Sequence, residues 1–206
     1  METSAVGLGH PERSLGSLSG VPGRLLEAAT RLFAEKGFES TSVQEVVEAA
    51  GVTKGAMYHY FGSKDDLLYE IYHRVLSVQT ERLEKLFAGD GSYAERIHAA
   101  AVDVVLTSIA NLDDTVIFFR SMHMLGTEKQ ALVRAERRRY HERFRGMIED
   151  GQRAGEFRAD VPAELVVDYY FGAVHHLGFW YRRKGRLSAR KVAEHYGDLL
   201  LASLRG

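Results

Sequence analysis

The chain has 206 residues, with 27 Lys and Arg set against 28 Asp and Glu and a formal net charge of -1. Hydrophobic residues make up 45% and charged residues 27%, a globular balance with room for one large domain or a small module joined to a larger one. The near-neutral charge excludes a generic polyanion coat as partner, and the absence of Cys excludes disulfides, thiolate metal sites and a cysteine nucleophile and fits a reducing cytoplasm. No apolar run approaches the roughly 18 residues of a membrane helix, and the first residues lack the apolar centre of a signal peptide, so a membrane is not an expected partner.

Residues 1–20 are rich in Gly and Ser without periodicity and are expected to form a disordered leader. No Pro lies between Gly23 and Val161, which favours helices over the whole of that stretch. From Arg24, Leu25, Ala29, Leu32 and Phe33 fall at helical spacing, and Gly37 suits the helix end. Thr41 or Ser42 can cap a second helix, with Gln44 or Glu45 completing a capping box, and Gly51 turns the chain. A short third helix spans Thr53 to about Tyr60, and Ser63 caps a long fourth one reaching Phe87. Further helices are expected over about 93–110, 115–125, 128–154, 163–184 and 188–204, separated by Gly-containing breaks. No strand alternation or hairpin turn competes, so the predicted fold class is all-α.

Two short helices joined by a Gly-containing turn, Ser42–Ala50 and Thr53–Tyr60, match a helix-turn-helix, whose second helix probes the DNA major groove. The composition of that helix suits the task. Thr53, Lys54, Gly55, Ala56, Tyr58 and His59 are small or hydrogen-bonding, and no acid lies between Thr53 and Lys64. Lys64 stands at the next helix N-terminus, where amides and ammonium together can hold a phosphate.

Leu25 to Leu68, above all the run Gly51 to Leu68 with Tyr58-His59-Tyr60-Phe61-Gly62-Ser63-Lys64, resembles the DNA-binding domain of the TetR family of transcriptional repressors. That resemblance implies a helix-turn-helix DNA-binding domain at 21–66 and a helical ligand-binding and dimerisation domain at 67–206. It implies that Thr53, Lys54, Gly55 and Tyr58 approach base edges or the adjacent backbone, and that Thr41, Tyr58, His59 and Lys64 hold phosphates. It also implies a homodimer joined through the last two helices, a double-stranded palindromic operator, a small-molecule effector, no cofactor and no enzymatic activity.

The segment Tyr169 to Lys184 is similar to TetR-type regulators of lipid and steroid breakdown, which implies an acyl-CoA thioester as effector. Such a ligand needs an apolar tunnel and cations for its phosphates. Tyr72, Phe118, Met122, Tyr169 and Trp180 are the candidate wall, with His175 and His176 as pocket or interface polarity; Arg183 among Arg182, Lys184 and Arg186 is the candidate phosphate contact, and Arg134, Arg137, Arg138, Arg139 and Arg143 supply a second cationic cluster. The long helix from Ser63 is the expected lever between effector and DNA. One rival class is a di-iron carboxylate oxidase, because Glu70/His73 and Glu95/His98 form two Glu-x-x-His pairs on successive helices.

Overall fold

The computed structural model describes residues 19–206, without the side chains of residues 115, 116, 118 and 119. The expected leader therefore lies almost wholly outside the described residues. Among these, ten α-helices follow one another: α1 (Val21–Lys36), α2 (Val43–Ala50), α3 (Lys54–Tyr60), α4 (Lys64–Phe87), α5 (Tyr93–Ala110), α6 (Leu112–Ser121), α7 (Thr127–Arg153), α8 (Ala163–His175), α9 (Leu177–Trp180) and α10 (Ala189–Leu204). A 3-10 turn, Met122–Met124, separates α6 from α7. The fold is all-α, as its patterning predicts.

Local chemistry starts and stops these helices. Pro22 sits in the first turn of α1, where its missing N–H costs nothing. Ser63 caps α4, Asp65 and Asp66 occupy its positive end, and Lys85 its negative end. Ser92 and Glu95 close a capping box on α5. One expectation fails: the helix anticipated over 163–184 breaks at His176 and stops at Trp180. Beyond it Tyr181 is extended and buried, while the Arg182 guanidinium donates to the Phe179 and Tyr181 carbonyls and satisfies the end that the helix leaves open.

Two buried clusters share α4. The first holds α1, α2 and α3 with Leu67, Leu68, Ile71, Tyr72 and Leu76 of α4, and it is completed by Ile117, Leu125 and Val133 from the later helices. Leu83 and Phe87 at the far end of α4 join the second cluster, built on α5, α7, α8 and α10. Burial therefore continues across the boundary expected between residues 66 and 67. α5 folds back along α4, with Arg82 paired to Asp103 at 3.2 Å and Arg96 donating to the Phe87 carbonyl at 3.0 Å. α7 runs parallel to α4, from Lys129 beside Asp65 to Arg143, which pairs with Glu84 at 2.9 Å. α10 approaches α5 so closely at Gly197 that a Cβ there would stand 2.8 Å from the His98 ring and 3.1 Å from Val102.

Candidate functional site

The reading face is built by short-range capping. The Ser42 hydroxyl accepts from Glu45 N–H at 3.2 Å, and the Glu45 carboxylate accepts from Ser42 N–H at 2.8 Å. Hydrogen bonds from Lys36 and Ser42 hold the Glu45 carboxyl down to about 2. Gly51 takes φ +63, the left-handed conformation that lets α2 turn directly into α3. The Thr53 hydroxyl then caps α3 by accepting from Ala56 N–H at 3.1 Å.

α3 has one buried residue, Met57, which anchors it to the first cluster. Thr53, Lys54, Gly55, Tyr58 and His59 are all exposed, as a surface that must meet another molecule requires. Tyr58 is 53% and Tyr60 50% exposed, and the His59 ring packs edge-on to Tyr60 with centroids 4.9 Å apart. Tyr60 was not anticipated; its place one step beyond His59 on a seven-residue helix with one buried face is the signal that could have found it.

Thr41 and Lys64 need correcting. Thr41 is 0% exposed, and its hydroxyl lies 2.8 Å from the Gly37 carbonyl and 3.3 Å from that of Leu32, so its proton is spent inside the fold. The Lys64 ammonium donates to the carbonyls of Phe38 and Thr41, both at 2.8 Å, and sits 4.3 Å from the centre of the Phe38 ring. Burial pulls its pKa down. Two of its three donors are committed, and the side chain straps the α1–α2 loop to the start of α4.

A second candidate site opens between α4, α5, α6, α7 and α8, a cavity with about 70 Å³ of free volume. Tyr72, Val75 and Leu76 line it from α4, Val104 and Ser108 from α5, and Phe171 and Val174 from α8. Its polar lining is Arg137 and His141 of α7 and His175 of α8, with Gln79 of α4 and Asp114 of α6. The His141 ring stacks on Phe171 with centroids 4.1 Å apart and lies 6.0 Å from the His175 ring, while an Arg137 nitrogen approaches the His175 ring nitrogens at 3.1 and 3.2 Å. Burial, together with the Arg137 charge, holds His141 down to about 4; burial, Arg137 and His141 hold His175 down to about 3. Both rings are therefore neutral at pH 7 and can each donate and accept one hydrogen bond.

Of the expected wall residues whose side chains are described, Tyr72 alone lines it, with its hydroxyl donating to the Ile117 carbonyl at 3.1 Å. The Phe118 side chain is outside the described residues. Met122 packs against the first cluster instead. Tyr169 is 68% exposed on the outer face of α8, and His176, Trp180 and Arg183, at or beyond the break, are also exposed. His141 was not anticipated, and Arg137 and His175 were expected only as part of a cationic cluster and as pocket or interface polarity, although Arg137/His141 and Phe171/His175 share the four-residue spacing that puts each pair on one helix face. Leu165 and Tyr169 of α8, Phe179 and Trp180 of α9, and Leu199 of α10 leave an apolar face uncovered.

The Glu-x-x-His pairs do not converge. His73 meets Glu136 of α7 at 2.9 Å and His98 meets Asp198 of α10 at 3.1 Å, while Glu95 is held in the Ser92 capping box. Among the described residues no group of three His, Asp or Glu side chains could hold a metal ion, and no helix is long and apolar enough to cross a membrane.

Residues 25–71 match the bacterial regulatory proteins of the tetR family, and residues 90–204 match the tetracyclin repressor-like C-terminal domain. The HTH-type transcriptional repressor KstR2 of Rhodococcus jostii is 28% identical to this chain, over 90% of this chain and 93% of its own length. The crystal structure of the TetR family regulator PfmR from Thermus thermophilus superposes with a TM-score of 0.80 at 32% identity, covering 89% of this chain and all (100%) of the other. The fold is also shared with AibR, solved in complex with isovaleryl coenzyme A and operator DNA, at a TM-score of 0.77 and 22% identity over 87% of this chain and 97% of AibR.

Proposed function

The chain belongs to the TetR family of bacterial transcriptional repressors, and on that premise we propose that it sits on a palindromic operator as a homodimer and leaves it when a short-chain acyl-CoA thioester occupies the cavity. The exposed face of α3 carries the DNA half of this reading: Thr53, Lys54, Gly55, Tyr58, His59 and Tyr60 project from a helix whose other side is anchored by buried Met57. Two such helices in a closed dimer suit half-sites about one helical turn apart, roughly 34–36 Å. The uncovered apolar face of α8, α9 and α10 supports dimerisation, since Leu165, Tyr169, Phe179 and Leu199 gain most when a second copy removes them from water.

The effector half rests on the cavity. Its lining combines apolar side chains with Arg137, two neutral imidazoles, Gln79 and Asp114, and the donors among them suit an acyl chain ending in a carbonyl oxygen. A free volume of about 70 Å³ takes a short acyl group and leaves the nucleotide outside, and Arg182, Arg183, Lys184 and Arg186, all exposed, are the cations offered to its phosphates. AibR, bound to isovaleryl coenzyme A, supports the thioester class. Tyr72 and Val75 place one wall on α4, the helix that follows the reading helix directly, so occupancy acts on the lever expected from the sequence.

Titrating a complex of the full chain and its own upstream DNA with matched short-chain acids and CoA thioesters tests the effector. The thioester is expected to release DNA at far lower concentration, and equal potency of acid and thioester overturns the CoA reading. Sedimentation of the same complex should give two chains per site.

A further inference from the structure

Asp65 and Asp66 stand in the first turn of α4, a few residues beyond the end of α3. Asp66 completes the cap with Ser63, whose hydroxyl donates to Asp66 Oδ2 at 2.7 Å and accepts from Asp66 N–H at 3.0 Å. Both acids also face α7. Lys129 Nζ pairs with Asp66 Oδ1 and lies 3.4 Å from Asp65 Oδ2, and Gly126 N–H donates to Asp65 Oδ2 at 3.1 Å.

The contact is backed by packing, since Leu125 and Val133, on either side of Lys129 in the chain, are buried in the first cluster with α1 to α3. It is also shielded: the Lys129 side chain is 24% exposed and that of Asp65 29%, so the pair is screened less than an ordinary surface bridge. Burial pushes the Asp66 carboxyl up, but hydrogen bonds from Lys129 and Ser63 outweigh it and leave the acid below its ordinary value. Burial pulls Lys129 down, and the two aspartates more than restore it.

α7 is unbroken from Thr127 to Arg153, so Lys129 shares one rod with Arg137, Tyr140 and His141 of the cavity. Eight residues of helix separate Lys129 from Arg137, about 12 Å. We propose that Lys129 is a positioning residue for DNA reading: by clasping the first turn of α4 it sets the pitch of α3 against the rest of the molecule, and it makes α7, beside α4, a carrier of the cavity's state to the reading face. The inference rests on the α3 reading face proposed above.

The test compares Lys129→Met, which keeps the stem and removes the charge, with Lys129→Arg, which keeps the charge. Amide hydrogen exchange across 54–66 in the free full chain should accelerate about tenfold in Lys129→Met and stay near wild type in Lys129→Arg. Affinity for the chain's own upstream DNA should fall about tenfold in Lys129→Met, with the slope of log affinity against log salt unchanged, because no phosphate contact is removed. The melting temperature should move little. Unchanged exchange in Lys129→Met overturns the proposal, and so does a Lys129→Arg variant as defective as Lys129→Met. A salt slope reduced by about one also overturns it, since Lys129 would then hold a phosphate itself. The exchange measurement needs no DNA, so failure of the wild-type chain to bind would count against the reading face alone while exchange still decides Lys129.

Discussion

The reading face takes its exposed groups from one stretch of chain, residues 53–60, whereas the cavity gathers residues from Tyr72 to His175 on five helices. In the first region each helix is seven to sixteen residues long, and the Gly51 turn, the Thr53 cap and the buried Met57 anchor sit within a few residues of the groups they present. In the second, the partner of each residue lies far along the chain: His141 meets Phe171 and His175, and Tyr72 reaches Ile117. A site made by local geometry can be transplanted with its motif. A site made by packing exists only when the whole bundle has closed.

The largest expected effects set the two cores side by side. Phe144→Ala in the second cluster should cost about 3–5 kcal/mol, and Met57→Ala in the first about 2–5 kcal/mol, because both side chains are 0% exposed. Since α4, α6 and α7 tie the first cluster to the C-terminal helices, calorimetry should show one transition lowered by either variant. Two transitions, each moved by one variant alone, would break the molecule into independent units.

Tyr58→Ala should separate function from stability. Operator affinity should fall about a hundredfold, roughly 2.7 kcal/mol, while the melting temperature barely changes, since the ring is half exposed. Early melting with loss of the dimer would return Tyr58 to a structural role.

The cavity has its own signature in pH. Folded His141 and His175 stay neutral down to about 4 and about 3, whereas in the unfolded chain they take up protons below about 6.5. Between those limits the unfolded state binds more protons, so these groups make stability rise with pH and fall as pH drops below 6.5. Each contributes a slope of up to about 1.4 kcal/mol per pH unit. His141→Phe keeps the stack on Phe171 and should shallow the dependence between pH 4 and 6.5; denaturant titrations at several pH values read the difference. An unchanged slope would mean that His141 titrates as it does in water.

The smallest effect should be the same in both regions. Ser42→Ala and Ser92→Ala each remove a capping box, on α2 and on α5, and each should cost about 1 kcal/mol in chemical denaturation. A large difference between them would show that capping depends on the surrounding packing more than on the motif.

The caps explain how far residue order alone carried. Ser42 with Glu45, Gly51, Thr53 and Ser63 act over three or four residues, and those distances are set by helix geometry before any tertiary contact forms. The all-α class, the helix-turn-helix and the exposed face of α3 follow from them. Burial is different, because whether Thr41 and Lys64 point to solvent depends on where α1 and its loop come to rest. Thr41 was expected outside and is sealed against Gly37 and Leu32; Lys64 was expected on a phosphate and is spent on two carbonyls. Likewise the aromatic run after Tyr169 reads equally well as cavity wall or outer face, since periodicity marks a helix stripe but not what lies across from it. The packing of α8 and α9 left Tyr169, Phe179 and Trp180 outside while Tyr170, Phe171 and Tyr181 were buried, and the packing of α7 on α8 placed Arg137, His141 and His175 at the cavity. That choice belongs to tertiary structure, because a pocket is defined by the mutual approach of surfaces distant in sequence.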